Sequence, residues 1–299
     1  MPEETNEQLQ SLARIEQGGI PLSAVRRLTE LREHGRSFTS ELSVGGFALC
    51  DQLGLRVLSQ VMGSSVYQMG YQSSWGPMEL GAPGLVELDT LSEALNEVRG
   101  RALGRMAEEA RHVGADLVIG VNTRATESEQ GGSLVLEHLA VGTAVGDGRA
   151  RGGSPLLSEL SVADYAKLRS AGYEPVGIVA WSSVFFGSYA FAMLGMSGQG
   201  MLGGVQNYEL REFTQAVYGA RETVMSRITD QAASLGAAGV VGVRIAHVVQ
   251  RRQLAGMAGR EASGVMVTFD AIGTAIREHG PATPLAPEPV IDLNERQGA

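Results

Sequence analysis

The chain states one pattern twice, and that duplication limits what it can fold into. GADLVIGV at 114–121 returns as GAAGVVGV at 236–243, and SELSV at 40–44 returns unchanged at 158–162. LGLRVLSQVMGSSVY, 53–67, aligns without a gap to AGYEPVGIVAWSSVF, 171–185. AVGTAV, 140–145, returns as AIGTAI, 271–276. The matches keep their order while the offset grows from 118 to 122 to 131 residues. Unrelated segments would not keep this order, so the chain is two copies of one fold with insertions between the matches. Residues 1–37 then form an N-terminal helical extension and 38–148 a first domain. GDGRARGGSP, 146–155, reads as a linker, and 156–278 is a second domain. Residues 279–299 form a Pro-rich tail, expected to be disordered.

Each unit gives the same coarse reading. Ser43 and Ser161 stand as N-caps of a short helix, which ends near Gly54 and Gly172. An apolar strand follows, to Ser64-Ser65 and Ser182-Ser183, then a variable Gly-rich segment. Next comes a long amphipathic helix. Its stripe is Leu91, Leu95, Val98, Ala102, Met106 and Ala110 in unit one, and Leu210, Phe213, Val217, Val224, Ile228 and Leu235 in unit two. LVIGV and VVGV read as buried strands. A loop, RIAHVVQRRQLAGMAGRE in unit two, returns to a closing half-buried strand. The fold class is α/β of the α+β kind: two tandem small domains, each a mixed sheet packed by one long helix. In the extension, Ser23 is the expected cap of a helix carrying Val25, Leu28 and Leu31, ended by Gly35.

The stretch 176–196 carries no charge and tests for a membrane span. Its counterpart, LSQVMGSSVYQMGYQ at 58–72, holds three glutamines and three serines, which lipid would not accept cheaply. No Lys or Arg lies between Glu174 and Glu209, and Pro175 and seven glycines from 177 to 204 break any long helix. We therefore read 176–184 as a core strand and the rest as a loop or short helix. A net charge of −9 argues against a global nucleic-acid footprint. One cysteine, Cys50, excludes an internal disulfide. The polar, acidic N-terminus has no signal-peptide pattern, so the expected address is cytoplasmic.

ALGRMAEEARHVGADLVIGV with LAVGTAV, and VMSRITDQAASLGAAGVVGV with DAIGTAI, resemble the YbjQ family of small bacterial proteins. This family carries the label UPF0145 and the description "putative heavy-metal-binding". The resemblance covers both units, and the second departs from it with Ala238 at the Asp116 position and Gly239 at the Leu117 position. It implies a compact α/β fold and ring-like homo-oligomers, typically pentamers. It implies no established reaction.

A transition-metal site needs clustered His, Cys or carboxylate ligands. His34, His112, His138, His247 and His279 have no histidine duplicates; His138 aligns to Phe269 and Cys50 to Leu168. Both are read as core rather than as ligands. Asp116, Glu137 and Glu41 are the carboxylates that could serve a hard cation. No metal or catalytic residue is assigned, and any cofactor is unknown. The duplicated polar residues are the better guide: Ser64/Ser182, Ser65/Ser183, Glu41/Glu159 and Arg99/Arg221. We expect Glu41–Arg99 and Glu159–Arg221 ion pairs, within a unit or across units, and serines that cap, line a pocket or face a neighbouring subunit. No histidine is duplicated beside the serines, which argues against a serine nucleophile. Trp181 and Phe185 add aromatic surface suited to an interface or an apolar ligand site. The expected function is a non-enzymatic, ring-forming homo-oligomeric scaffold, with the N-terminal helix as a surface for a protein partner. The alternative is a metal-ion or small-molecule binding protein with a site between domains or subunits.

Overall fold

The computed structural model describes residues 2–34, 38–70, 85–131, 133–148, 153–188, 209, 211–255 and 261–283. Helices α1 (Pro2–Glu16) and α2 (Leu22–His34) precede the first unit. That unit holds α3 (Val44–Gln52), β1 (Arg56–Gly70), β2 (Leu85–Glu87), α4 (Asp89–His112), β3 (Leu117–Gln130) and β4 (Ser133–Gly146). The second holds β5 (Leu156–Leu157), α5 (Val162–Ser170), β6 (Tyr173–Ser188), α6 (Arg211–Ser234), β7 (Gly239–Ala255) and β8 (Glu261–Glu278). Among these residues no helix is long and apolar enough to cross a membrane. The segment 176–188 lies in β6; residues 189–196 lie outside the described residues.

The duplication extends to the register. Arg56 pairs with Gly146 as Glu174 pairs with Arg277, and the strands bulge between Val57 and Ser59 as between Pro175 and Gly177. A second bulge falls between Ile119 and Asn122, matched between Val241 and Arg244. The repeated motif follows from this geometry. Gly120 and Gly242 occupy the bulge at φ +66° and +65°, a conformation that a Cβ would strain. Opposite them, a Cβ on Gly142 or Gly273 would stand 2.7 Å or 2.9 Å from Val118 or Val240. The capping serines also hold, with Ser43 Oγ accepting from Gly46 N–H and Ser161 Oγ from Asp164 N–H, both at 3.1 Å.

The two sheets are not self-contained. One runs β1-β4-β3-β5 and the other β2-β6-β8-β7, so each takes a short strand from the other unit. β2 pairs antiparallel with β6, and β5 pairs parallel with β3. Helix α4 lies between the sheets. Its first turns, with Leu91, Leu95 and Val98 and the preceding Leu88, meet Met69, Leu134 and Leu136 of one sheet and Val184, Phe186 and Met266 of the other. Helix α6 covers the far face of the second sheet through Ala220, Val224 and Ile228 against Val179, Phe269 and Ala271. The layers therefore run sheet, helix, sheet, helix.

Several expectations need correction. β1 and β6 continue past the paired serines to Gly70 and Ser188. The expected loop after Val243 is a long hairpin, with β7 running to Ala255 and β8 resuming at Glu261. Its strand continues because the backbone pairing of β7 with β8 holds its register from Arg244–Ile272 out to Ala255–Glu261. Ser23 sits inside the first turn of α2 rather than capping it. Residues 279–283 of the tail are held in place: His279 and Gly280 N–H donate to Gly172 O, and Thr283 N–H to Ser170 O. The rest of the tail lies outside the described residues.

Candidate functional site

The polar groups that face one another collect at the seam where α4 meets β6 and β8. Asn96 on α4 grips the strand with its side-chain amide: Oδ1 accepts from Ser182 N–H and Nδ2 donates to Ser182 O, both at 2.8 Å. One turn earlier Ser92 Oγ accepts from Val184 N–H at 2.9 Å. One turn later Arg99, 5% exposed, donates to Ser182 Oγ and to the Asp270 carboxylate, and its Nη1 reaches Asn96 Oδ1 at 3.0 Å. Ser182 Oγ in turn donates to Asp270 Oδ1 at 2.6 Å. Burial pulls the Arg99 pKa down, while Asp270 and then Glu159 pull it back up.

His138, on β4, faces the same region and is buried. Burial first, then the Arg99 charge, push its pKa down to about 4 against a smaller opposing pull from Asp270. It is neutral at pH 7, and its Nε2 makes no hydrogen bond among the described residues. The register sets Ser65 across from it.

The expected ion pairs are not the ones formed. Arg99 pairs with Asp270, and Glu159 with Arg244. The equivalence fails because α4 turns Arg99 across the seam to the second unit, away from Glu41 of its own. Glu41 is exposed, and its backbone N–H donates to Thr143 Oγ1 at 3.3 Å; Glu159 N–H repeats this to Thr274 at 3.1 Å. Arg221 is exposed on α6, and Ser64 is exposed on β1. Ser65, Ser182 and Ser183 are buried, Ser183 donating to the Glu87 carboxylate. Trp181 and Phe185 pack under α6, with the Arg227 guanidinium 5.2 Å from the Trp181 ring centre. Among the polar candidates Arg99 and Ser182 hydrogen-bond to one another; Asn96 and Asp270 complete their cluster. Neither was legible, since Asp270 aligns to Leu139 and Asn96 to Tyr218, so repetition gave no signal.

The donor set does not fit a transition metal. Among the described residues no three His, Cys, Asp or Glu side chains converge. Cys50 is buried among Leu55, Leu117 and Tyr165, where burial raises its thiol pKa. The unpartnered His138 Nε2 shares its surroundings with the Arg99 cation, which repels a second positive charge. Asp116 accepts from Asp147 N–H, far in the register from exposed Glu137. Nor does Ser182 resemble a nucleophile: its hydroxyl proton already goes to a carboxylate tied to Arg99.

These features define a duplicated α/β unit whose copies interlock through a polar seam. The chain belongs to the family described as "Putative heavy-metal-binding", the YbjQ family, whose profile matches residues 83–147 and 171–278. It is 35% identical over 266 residues to an encapsulin nanocompartment protein of Mycobacterium tuberculosis, covering 87% of this chain and 93% of that one. Two UPF0145 proteins of Halobacterium salinarum strains are each 49% identical over 59 residues, 20% of this chain and 54% of theirs. No solved structure matches the chain significantly.

Proposed function

We propose that the protein is a non-enzymatic scaffold of the cytoplasm that assembles into closed rings of identical chains. One observation carries the reading: each sheet is finished by a strand from the other unit, β2 on β6 and β5 on β3. A unit built this way is complete only beside a neighbour. The name of the mycobacterial relative, an encapsulin nanocompartment protein, supports an assembled role. The duplicated unit gives the ring its natural repeat. Domain limits near 38–148 and 156–278 describe the two repeats, with the extension as an added layer. A metal site between the units is the weaker reading, because Arg99 holds the polar centre of the seam.

Native mass spectrometry of the untagged chain at micromolar concentration tests this. The expected result is one closed assembly of defined subunit number without added mass. A monomer across that range overturns it.

A further inference from the structure

The internal seam has a missing twin. In unit two, the face of β6 that presents Ser182, Val184 and Phe186 is buried beneath α4; Val184 is 0% exposed. The same face of β1 presents Met62, Ser64 and Val66, and no described residue covers it: Val66 is 66% exposed and Met62 47%. β1 is also the terminal strand of its sheet. The reciprocal surface is on α6. The duplicates of Asn96 and Arg99, which grip β6, are Tyr218 and Arg221, and Tyr218 is 67% exposed.

A second, separate contact repeats the pattern. α5 and the segment before it dock on β3: Ser158 N–H donates to Val118 O, and Val121 and Gly120 N–H donate to Ser158 O and Leu160 O, at 2.9–3.0 Å. Val162 and Tyr165 are buried there at 3% and 4% exposure. Their duplicates on α3, Val44 and Phe47, are 88% and 45% exposed. The strand that should receive them is β7, the terminal strand at the opposite end of the second sheet.

We propose that these four bare surfaces are the two halves of one interface between copies of this chain: α6 of one chain covers β1 of the next, while α3 of that next chain docks on β7 of the first. The occupant is fixed by the chain's own internal seam, which already joins the equivalent elements in the same combination. The Asp270 position is Leu139 in the first unit; Glu137, exposed on the same face and in register with Val66, is the nearby carboxylate offered to Arg221. Such a contact joins unlike patches, so copies follow one another head to tail rather than pairing about a twofold axis. The inference rests on the scaffold reading and gives it its contact surfaces.

Two variants test it, Val66→Glu on the head and Tyr218→Asp on the tail. Both positions are exposed, so each chain should keep the wild-type far-UV circular dichroism and melting temperature. In native mass spectrometry each variant alone should be a monomer. Mixed one to one, they should form a two-chain particle and nothing larger, since each supplies the one surface the other lacks. Should Val66→Glu fail to fold, Val44→Asp blocks the head through the other contact, with the same expected outcome. Variants that assemble as the wild type does, or a mixture that stays monomeric, overturn the interface while the scaffold stands. A monomeric wild type removes the scaffold itself.

Discussion

At the scale of single residues, the seam shows how one sequence position takes different work in each copy. Arg105 and Arg227 are duplicates. Arg105 holds the N-terminal extension through Gly19 O and Ile15 O and reaches Ser64 O at 2.6 Å, whereas Arg227 lies over Trp181. His138 occupies the place of Phe269, and its neutrality has a pH consequence. The folded chain keeps His138 neutral down to about 4, while the unfolded chain takes up the proton near 6.5. The unfolded state therefore binds more protons in between. The stabilisation is fully present above pH 6.5 and is lost as the pH falls toward 4, by about 3 kcal/mol at most. His138→Phe, the residue of the other copy, should flatten the stability of the variant relative to wild type across that window, read by urea denaturation at successive pH values. Arg99→Met should cost about 2–3 kcal/mol in the same measurement at pH 7, because it strands Asp270 and Ser182 at the seam. Adding Asp270→Leu, the residue of the first copy, should recover part of that loss.

At the scale of elements, the repeated residues announced the helices, the strands and their caps, because those depend on local spacing that both copies share. The exchange of β2 and β5 between sheets could not be read the same way. A strand's hydrogen bonds run through its backbone, and three residues such as Leu85–Glu87 carry no mark of which edge they join. The polar cluster was half legible for a related reason: Arg99 and Ser182 repeat, but their partners do not. The copies also differ in how closely helix meets sheet. Gly63 aligns to Trp181, and a Cβ on Gly63 would stand 1.9 Å from Ala102 O and 2.6 Å from Met106 N. α4 can lie against β1 only because no side chain is there, whereas at the matching position of the second unit Trp181 stands with the Arg227 guanidinium over its ring. Gly63→Ala should therefore destabilise the chain by about 3 kcal/mol through overpacking against helix backbone that cannot yield. Thermal unfolding followed by circular dichroism checks it.

At the scale of the whole molecule, the extension docks on its own domain. Ile20 and Leu28, both buried, join the cluster of Val61, Met106 and Ala110, and Arg27 pairs with Glu109 at 3.1 Å. Glu109 also accepts from Met62 N–H at 2.9 Å, so the extension, α4 and β1 are tied at one carboxylate. The partner role expected of its amphipathic helix is thus taken, for α2, by the chain itself. Leu9 and Leu12 on α1 remain exposed.

The tether between the two units bears on what their seam can be made of. Two surfaces on one polypeptide meet at an effective concentration that short links set at millimolar order, so their contact needs little affinity of its own. A buried guanidinium with a single carboxylate and a neutral imidazole beside it is a poor adhesive, because much of its attraction is spent on lost hydration. Covalent continuity makes such chemistry tolerable. It frees the internal joint to serve alignment, while any joint formed between separate molecules must draw its strength from apolar side chains such as Val44, Val66 and Tyr218.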